Sequence, residues 1–145
     1  MCVPGRGPRR GADRFLVLVL VASIAASCSA GGASSAATST RPASPAKLTI
    51  VSPTDGERIN GSTVHVAVEL SGAKIVQATS TNVVPTEGHL HVSLDGEIVA
   101  MNFGLTDDVP NVTPGPHVLQ VEFVASDHLP FDPRVIAQTT FEVKA

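Results

Sequence analysis

The sequence predicts a small all-β domain, built as an antiparallel sandwich of about seven short strands. Apolar and polar residues alternate over several short stretches, which is the pattern of half-buried strands. Clusters of Gly, Pro, Asp and Asn separate these stretches, and residues 47–145 contain no convincing helical period. These 99 residues are enough for one domain with its own core.

The chain begins with a segment typical of an export signal. Four arginines at positions 6, 9, 10 and 14 form its positive part. The apolar stretch that follows, residues 15–26, has 12 residues, whereas spanning a bilayer takes roughly 20. It ends in Ala25-Ala26-Ser27-Cys28, which resembles the lipobox of bacterial lipoproteins, where the Cys carries the lipid. We therefore predict a signal peptide over residues 1–27 and lipidation of Cys28, with an ordinary cleaved signal as the alternative.

Residues 28–46 connect the signal to the domain. After Cys28 they contain only Ser, Ala, Gly, Thr, Pro and a single Arg. Such a segment buries too little apolar surface to offset its ordering entropy, so we expect a flexible tether. No Cys follows Cys28, so the domain over residues 47–145 has no disulfide and depends on its core for stability.

Charge excludes one class of partner. Six basic and twelve acidic residues follow Cys28, which gives a net charge of −6 with His neutral. The chain has no basic stripe, no Trp and no Tyr. Nucleic-acid binding therefore has no support, and strong attraction to anionic lipid is not expected either.

The first half of the domain contains three predicted strands. Residues 48–51 open the domain, and the cluster at residues 52–56 predicts a turn. Val64, Val66 and Val68 alternate with polar residues, so we expect them to face the core and His65 to face solvent. Residues 74–78 predict a weaker strand.

Asp95-Gly96 lies between two alternating runs and predicts a two-residue hairpin turn. Directly opposed residues share a face of a sheet, so pairing outward from this turn sorts the side chains into two sets. The predicted core face consists of Leu90, Val92, Leu94, Val99, Met101 and Phe103. The opposite face consists of His89, His91, Ser93, Ile98, Ala100 and Asn102.

The second half ends in two further strands. Residues 105–116 predict a long loop, and residues 117–125 a strand with Leu119, Val121 and Phe123 inward. Residues 135–144 close the chain with Phe141 and Val143 inward. This size and strand count are typical of immunoglobulin-like or fibronectin III-like sandwiches, with a small barrel as the alternative.

Four motifs carry a resemblance that extends over nearly all of residues 48–144. They are Ser52-Pro53-Thr54-Asp55-Gly56, Gly88-His89-Leu90-His91, Gly115-Pro116-His117 and Asp127-His128-Leu129-Pro130. With its Gly-His-x-His, Gly-x-His and Asp-His-x-Pro elements, the chain resembles exported bacterial Ig-like lipoprotein domains of poorly known function. The resemblance implies a fold and a location, and it implies no reaction.

Four histidines are the candidate site. His89 and His91 project from the same face of one strand, and His117 and His128 lie in the other two motifs. Two imidazoles at this spacing with one or two more from elsewhere are a plausible Cu or Zn site. The alternative is structural: His117 caps the core, His128 bonds to backbone in its loop, and His91 packs against its neighbours.

Two functions follow from these observations. The first is a non-catalytic, membrane-tethered binding or structural module without a cofactor, anchored through the lipid on Cys28 at the outer face of the bacterial cytoplasmic membrane or in the cell envelope. Its partner would be an envelope protein or a small ligand. The second is a lipoprotein that handles Cu or Zn. No nucleophile elbow or phosphate-binding loop supports an enzyme.

Overall fold

The computed structural model describes residues 41–77 and 79–144. The predicted signal peptide and the Cys28 lipidation site lie outside the described residues. The described part contains nine strands and no helix, so it has no helix that is long and apolar enough to cross a membrane. The strands are β1 Lys47–Ser52, β2 Glu57–Asn60, β3 Val64–Ser71, β4 Lys74–Ile75, β5 Glu87–Leu94, β6 Glu97–Asn102, β7 Thr106–Val109, β8 Gly115–Ala125 and β9 Pro130–Lys144.

The strands form two sheets, and the all-β prediction is confirmed. One sheet has the order β1-β3-β7. The other has the order β2-β9-β8-β5, and the far side of β5 is shared by β4 and β6. Most neighbours are antiparallel, while β2–β9 and β4–β5 run parallel.

The core contains the inward residues of both sheets, and the strand phases predicted for β3, β8 and β9 are confirmed. Alternate residues of β3, of the first part of β8 and of the end of β9 are buried, because one face of each strand packs on the other sheet. Over residues 121–125, β8 is buried on both faces. The predicted inward residues found in the core are Val64, Val66, Val68, Leu90, Val92, Leu119, Val121, Phe123, Phe141 and Val143. Phe131, which sequence analysis did not assign, stacks on Phe123 with ring centroids 5.6 Å apart.

The hairpin prediction is right at the turn and for the faces of Leu90 and Val92 on β5, and it is wrong for β6 from Val99 onward. Asp95 and Gly96 form the turn with positive φ angles of 52° and 92°. Val92 pairs with Ala100 and Ser93 with Ile98, so Val99 is an extra residue in β6, a β-bulge. The bulge reverses the alternation of the rest of β6. The predicted core residues Val99, Met101 and Phe103 are therefore 45%, 56% and 37% exposed.

The expected loop at residues 105–116 contains a strand. β7 pairs with β3, with Val64 opposite Val109 and His65 opposite Asp108. Two adjacent Asp residues give this segment a low strand propensity, but at the edge of the sheet Asp108 is exposed and Asp107 half-exposed, while Val109 is buried. The weaker strand expected at residues 74–78 is reduced to β4 in the described residues.

Residues 41–46, which we expected to belong to the tether, contact the domain. The Arg41 guanidinium pairs with the Asp127 carboxylate and donates to the carbonyl of Pro130 at 2.8 Å. The Asp132 amide donates to the carbonyl of Pro42 at 3.1 Å. Arg41 and Pro42 therefore lie beside the loop that joins β8 to β9 and the start of β9, while the Ser44 hydroxyl donates to the carbonyl of Pro85 at 2.6 Å.

Candidate metal centre

Three of the four candidate histidines converge on one point. His89 and His91 lie on β5, and His128 lies in the loop between β8 and β9. One ring nitrogen of each can be chosen so that the three atoms lie within 4.8 Å of one another. Ring centroids are 4.4 Å apart for His89 and His128, and 5.1 Å apart for His89 and His91. We call these three residues the histidine cluster.

The strand alternation of β5 positions two of these rings. Leu90 and Val92 are buried in the core, so His89 and His91 project from the opposite face of the sheet, as predicted. The outer edge of β5 pairs with β4 up to Gly88 and with β6 from Leu90 onward. His89 lies at this changeover. The ring of Phe103, which follows β6, covers it at a centroid distance of 5.1 Å.

The glycine before His89 has a steric role. A Cβ at position 88 would lie 1.9 Å from the carbonyl oxygen of Val124 on the neighbouring strand β8. Only glycine permits β5 and β8 to approach this closely here. The Gly-His pair therefore combines close strand packing with the first histidine of the cluster.

A tight turn positions the third ring. Asp127 accepts a hydrogen bond from the Leu129 amide at 3.2 Å, and the His128 amide donates to the Ala125 carbonyl at 3.0 Å. His128 itself has a φ of 65°. This turn folds back over β5 and brings the His128 ring to the cluster, where its Nε2 lies 3.3 Å from the Thr79 hydroxyl.

The surroundings of two cluster rings, His89 and His91, favour the neutral imidazole. His89 is 1% exposed. Burial first, and then the neighbouring His128 and His91 rings, lower its pKa to about 4. Burial and His128 also lower the pKa of His91, although Glu122 opposes them. Neutral imidazole is the form that binds a metal ion.

The hydrogen bonding of the cluster leaves one buried nitrogen unpaired. His89 Nε2 lies 3.2 Å from His91 Nε2, so one of these atoms donates and the other accepts. His89 Nδ1 is buried and has no hydrogen-bond partner among the described residues. When Nδ1 of His89 carries the ring proton, the Nε2 lone pair is directed toward the other cluster rings.

Sequence reasoning missed the carboxylate beside the cluster. Glu122 is buried on β8 directly opposite His91. Its two oxygens accept from the Arg134 guanidinium on β9 at 2.7 and 2.5 Å. A single Glu within the apolar strand of residues 117–125 was the available signal.

His117 does not belong to the cluster, which corrects the predicted four-histidine site to three residues. Its position on β8 is seven residues before Val124, the partner of His89, a separation of about 23 Å at the rise of a strand. Nδ1 of His117 lies 2.7 Å from Asp95 Oδ2, and Nε2 lies 2.7 Å from the Thr113 carbonyl. The ring stacks on Phe141 at 5.5 Å, as the alternative of a core cap requires.

Comparisons with known proteins address the fold. No family model matches the chain, and no curated protein is similar to it. Fibronectin(III)-like modules of Clostridium thermocellum CbhA are 18% identical with a TM-score of 0.50, over 67% of this chain and 94% of that one. The PKD domain from human KIAA0319 is 16% identical with a TM-score of 0.41, over 77% and 92%. CopC from Methylosinus trichosporium OB3b is 19% identical with a TM-score of 0.37, over 67% and 93%.

These identities are all low, so only the similarity with a TM-score of 0.50 is informative, and it establishes the fold alone. The similarity to fibronectin(III)-like modules confirms the predicted immunoglobulin-like, fibronectin III-like sandwich.

Proposed function

We propose that this chain is a non-catalytic metal-binding module of the bacterial cell envelope, in which His89, His91 and His128 bind one Cu or Zn ion. The convergence of three ring nitrogens within 4.8 Å carries this proposal. The export signal and the lipobox-like segment support a lipid anchor at Cys28, which would hold the domain outside the cytoplasmic membrane.

The dimensions of the cluster fit an ion of this kind. Imidazole nitrogens bind Zn at about 2.0–2.1 Å, so three of them around a tetrahedral ion lie about 3.3 Å apart. The Nε2 atoms of His89 and His91 are already 3.2 Å apart. Ring rotations that bring the remaining nitrogens at most about 1.5 Å closer together would complete the set, with a fourth position left for another ligand.

The chemistry of the donors selects the class of metal. Imidazole favours Cu and Zn, whereas Mg and Ca require several oxygen ligands. The nearby Glu122 carboxylate is occupied by Arg134, and Asp127 pairs with Arg41. Among the described residues the cluster therefore presents imidazole nitrogens, and these two neighbouring carboxylates are paired with arginines.

One observation favours a second candidate, a tethered module without metal. The contacts of His89 with His91 and of His128 with Thr79 partly satisfy the rings without an ion. In that case the cluster only packs the β8–β9 loop onto β5, and the partner is an envelope protein or a small ligand.

Calorimetric titration separates the two candidates. The full chain carrying Cys2→Ser and Cys28→Ser, so that no thiol competes, is titrated with Zn²⁺ and with Cu²⁺. We expect saturable binding of one ion per chain, and loss of that binding in His91→Ala and in His128→Ala. His65→Ala is the matched control, because the His65 side chain is exposed and lies outside the cluster. Absence of binding, or equal binding in His91→Ala, would leave only the packing role.

The anchor is tested separately. Cys28→Ser should release the protein from membranes of the producing cell. Wild-type protein that fractionates as soluble, with an unmodified terminus, would remove the lipid anchor from the proposal and leave the metal site intact.

A further inference from the structure

The β-bulge at Val99 brings a sulfur-containing side chain to the histidine cluster. Beyond the bulge, Met101 pairs directly with His91, and directly opposed residues share a face with Cβ atoms about 4.5–5.5 Å apart. Its neighbour Ala100 packs against the core, so Met101 projects from the outer face, where it is exposed. Without the bulge, Met101 would lie opposite Leu90 and face the core.

Another side chain that follows the bulge, that of Phe103, already contacts the cluster. Phe103 follows Met101 by two residues, and its ring lies 5.1 Å from the ring of His89. Met101 lies directly opposite His91. Its side chain has three rotatable bonds with which to place the sulfur. A thioether can therefore occupy the fourth position beside the three imidazoles.

We propose that Met101 is the fourth ligand of this site and that the site takes copper as Cu(I). This inference rests on the proposed metal-binding function and deepens it. Thioether sulfur is a soft donor that favours Cu(I), whereas Zn²⁺ is bound by thiolate, imidazole and carboxylate groups.

The charge of the donors favours the same ion. Three neutral imidazoles and one thioether supply no negative charge to a metal. The carboxylates next to the cluster in the chain or the sheet are Asp127, Glu122 and Glu87. Each pairs with a basic side chain, Arg41, Arg134 and Lys74 in that order. The cost of removing an ion from water grows with the square of its charge, so a site without an anionic ligand holds a monovalent ion at lower cost than a divalent one.

Competition for Cu(I) against a chromogenic chelator, under anaerobic conditions, tests the proposal. The full chain with Cys2→Ser and Cys28→Ser is compared with the same chain carrying Met101→Leu. We expect Met101→Leu to lower Cu(I) affinity by at least about tenfold, since loss of an outer-shell partner alone has that effect. Zn²⁺ affinity should change by less than about twofold, because Zn²⁺ does not use the thioether. Ile98→Leu is the matched control, an exposed apolar residue of the same strand.

X-ray absorption at the copper edge gives a direct second readout. In the background without Cys, the sulfur of the chain comes from its two Met residues, Met1 and Met101. A sulfur scatterer beside Cu(I) should be present in this background and absent in Met101→Leu.

The outcomes distinguish a failure of the Met101 ligand from a failure of the histidine site. If Met101→Leu binds Cu(I) as tightly as its parent while His91→Ala binds no metal, the sulfur ligand is overturned and the histidine site stands. If the parent chain binds neither Cu(I), Cu²⁺ nor Zn²⁺, the proposed function itself fails.

Discussion

His89 and His117 are both buried, at 1% and 8% exposure, yet their surroundings prepare them for opposite charge states. The two partners of His117, a carboxylate and a backbone carbonyl, can only accept, so both ring nitrogens must donate and the ring is an imidazolium. His89 has a neighbouring imidazole at one nitrogen and no partner at the other among the described residues. Its ring is neutral.

The pKa shifts follow this difference. Burial by itself lowers the pKa of His117, but the hydrogen bonds to Asp95 and Thr113 and the Asp95 charge outweigh it and raise the pKa above its usual value. For His89, burial and the neighbouring histidines act in the same direction. Burial therefore does not decide what a histidine does; its partners decide. A ring with two acceptors is a structural cation, and a ring with an unpaired nitrogen is a candidate ligand.

Among the variants that test this comparison, Gly88→Ala should cause the largest loss of stability. The added Cβ would press on the Val124 carbonyl and force β5 away from β8 beside His89, while leaving the His117 end of the strands in place. We expect a loss of about 3 kcal/mol in the free energy of unfolding, at the upper end for overpacking, measured by urea denaturation. Gly104→Ala is the control, because its nearest contact would be 3.5 Å away. Equal stability of the two variants would contradict the close approach of the strands.

His117→Gln should cost about 1–3 kcal/mol, because Asp95 and Thr113 lose a charged donor. The cost should depend on pH. A raised pKa in the folded state stabilises the fold fully below about pH 6.5, and the contribution is lost as pH rises through the folded pKa.

The pH range of that measurement is set by Asp95. The Val118 amide first, and then His117, lower the pKa of Asp95, so its contribution is lost only as pH falls through that lowered value. The difference in unfolding free energy between wild type and His117→Gln should therefore be largest near pH 5–6 and shrink toward alkaline pH. A difference that does not vary with pH would show that His117 is not held as a cation.

The smallest effect should come from His91→Ala in the absence of metal. His91 is half-buried, and its removal deletes one hydrogen bond with His89 and the stacking of its ring on His128. We expect thermal unfolding to report a change within about 0.5 kcal/mol, as for surface substitutions. A loss as large as that of His117→Gln would place His91 with the structural histidines and contradict the comparison.

Strand phase could be predicted where one face of a strand is large and aliphatic. Val92 and Phe123 were placed in the core by alternation alone, and His89 and His91 were placed together on the outer face. The bulge at Val99 could not be predicted, because β6 carries apolar residues on both sides of the extra residue. Either phase satisfies the hydrophobic pattern, and only the hydrogen-bonded register decides between them.

The membership of the cluster depended on which strands are neighbours. β5 and β8 are antiparallel, so the end of β8, and the loop with His128 that follows it, lies beside the start of β5 and His89. The start of β8, with His117, lies beside Asp95 at the other end of β5. Spacing along the sequence does not contain this pairing, and for the same reason Glu122 and Arg134 were not predicted.

The contact between Arg41 and Asp127 has a mechanical consequence. Asp127 precedes His128, and Arg41 is the first residue of the chain that the structure describes. A pulling force on the chain before Arg41 would act first on the turn that carries His128. β5 would resist it longer, because strands pair with it along both edges. We therefore expect tension on the chain to displace the His128 ring while His89 and His91 stay in register. The affinity of the cluster for a metal ion would then fall under force.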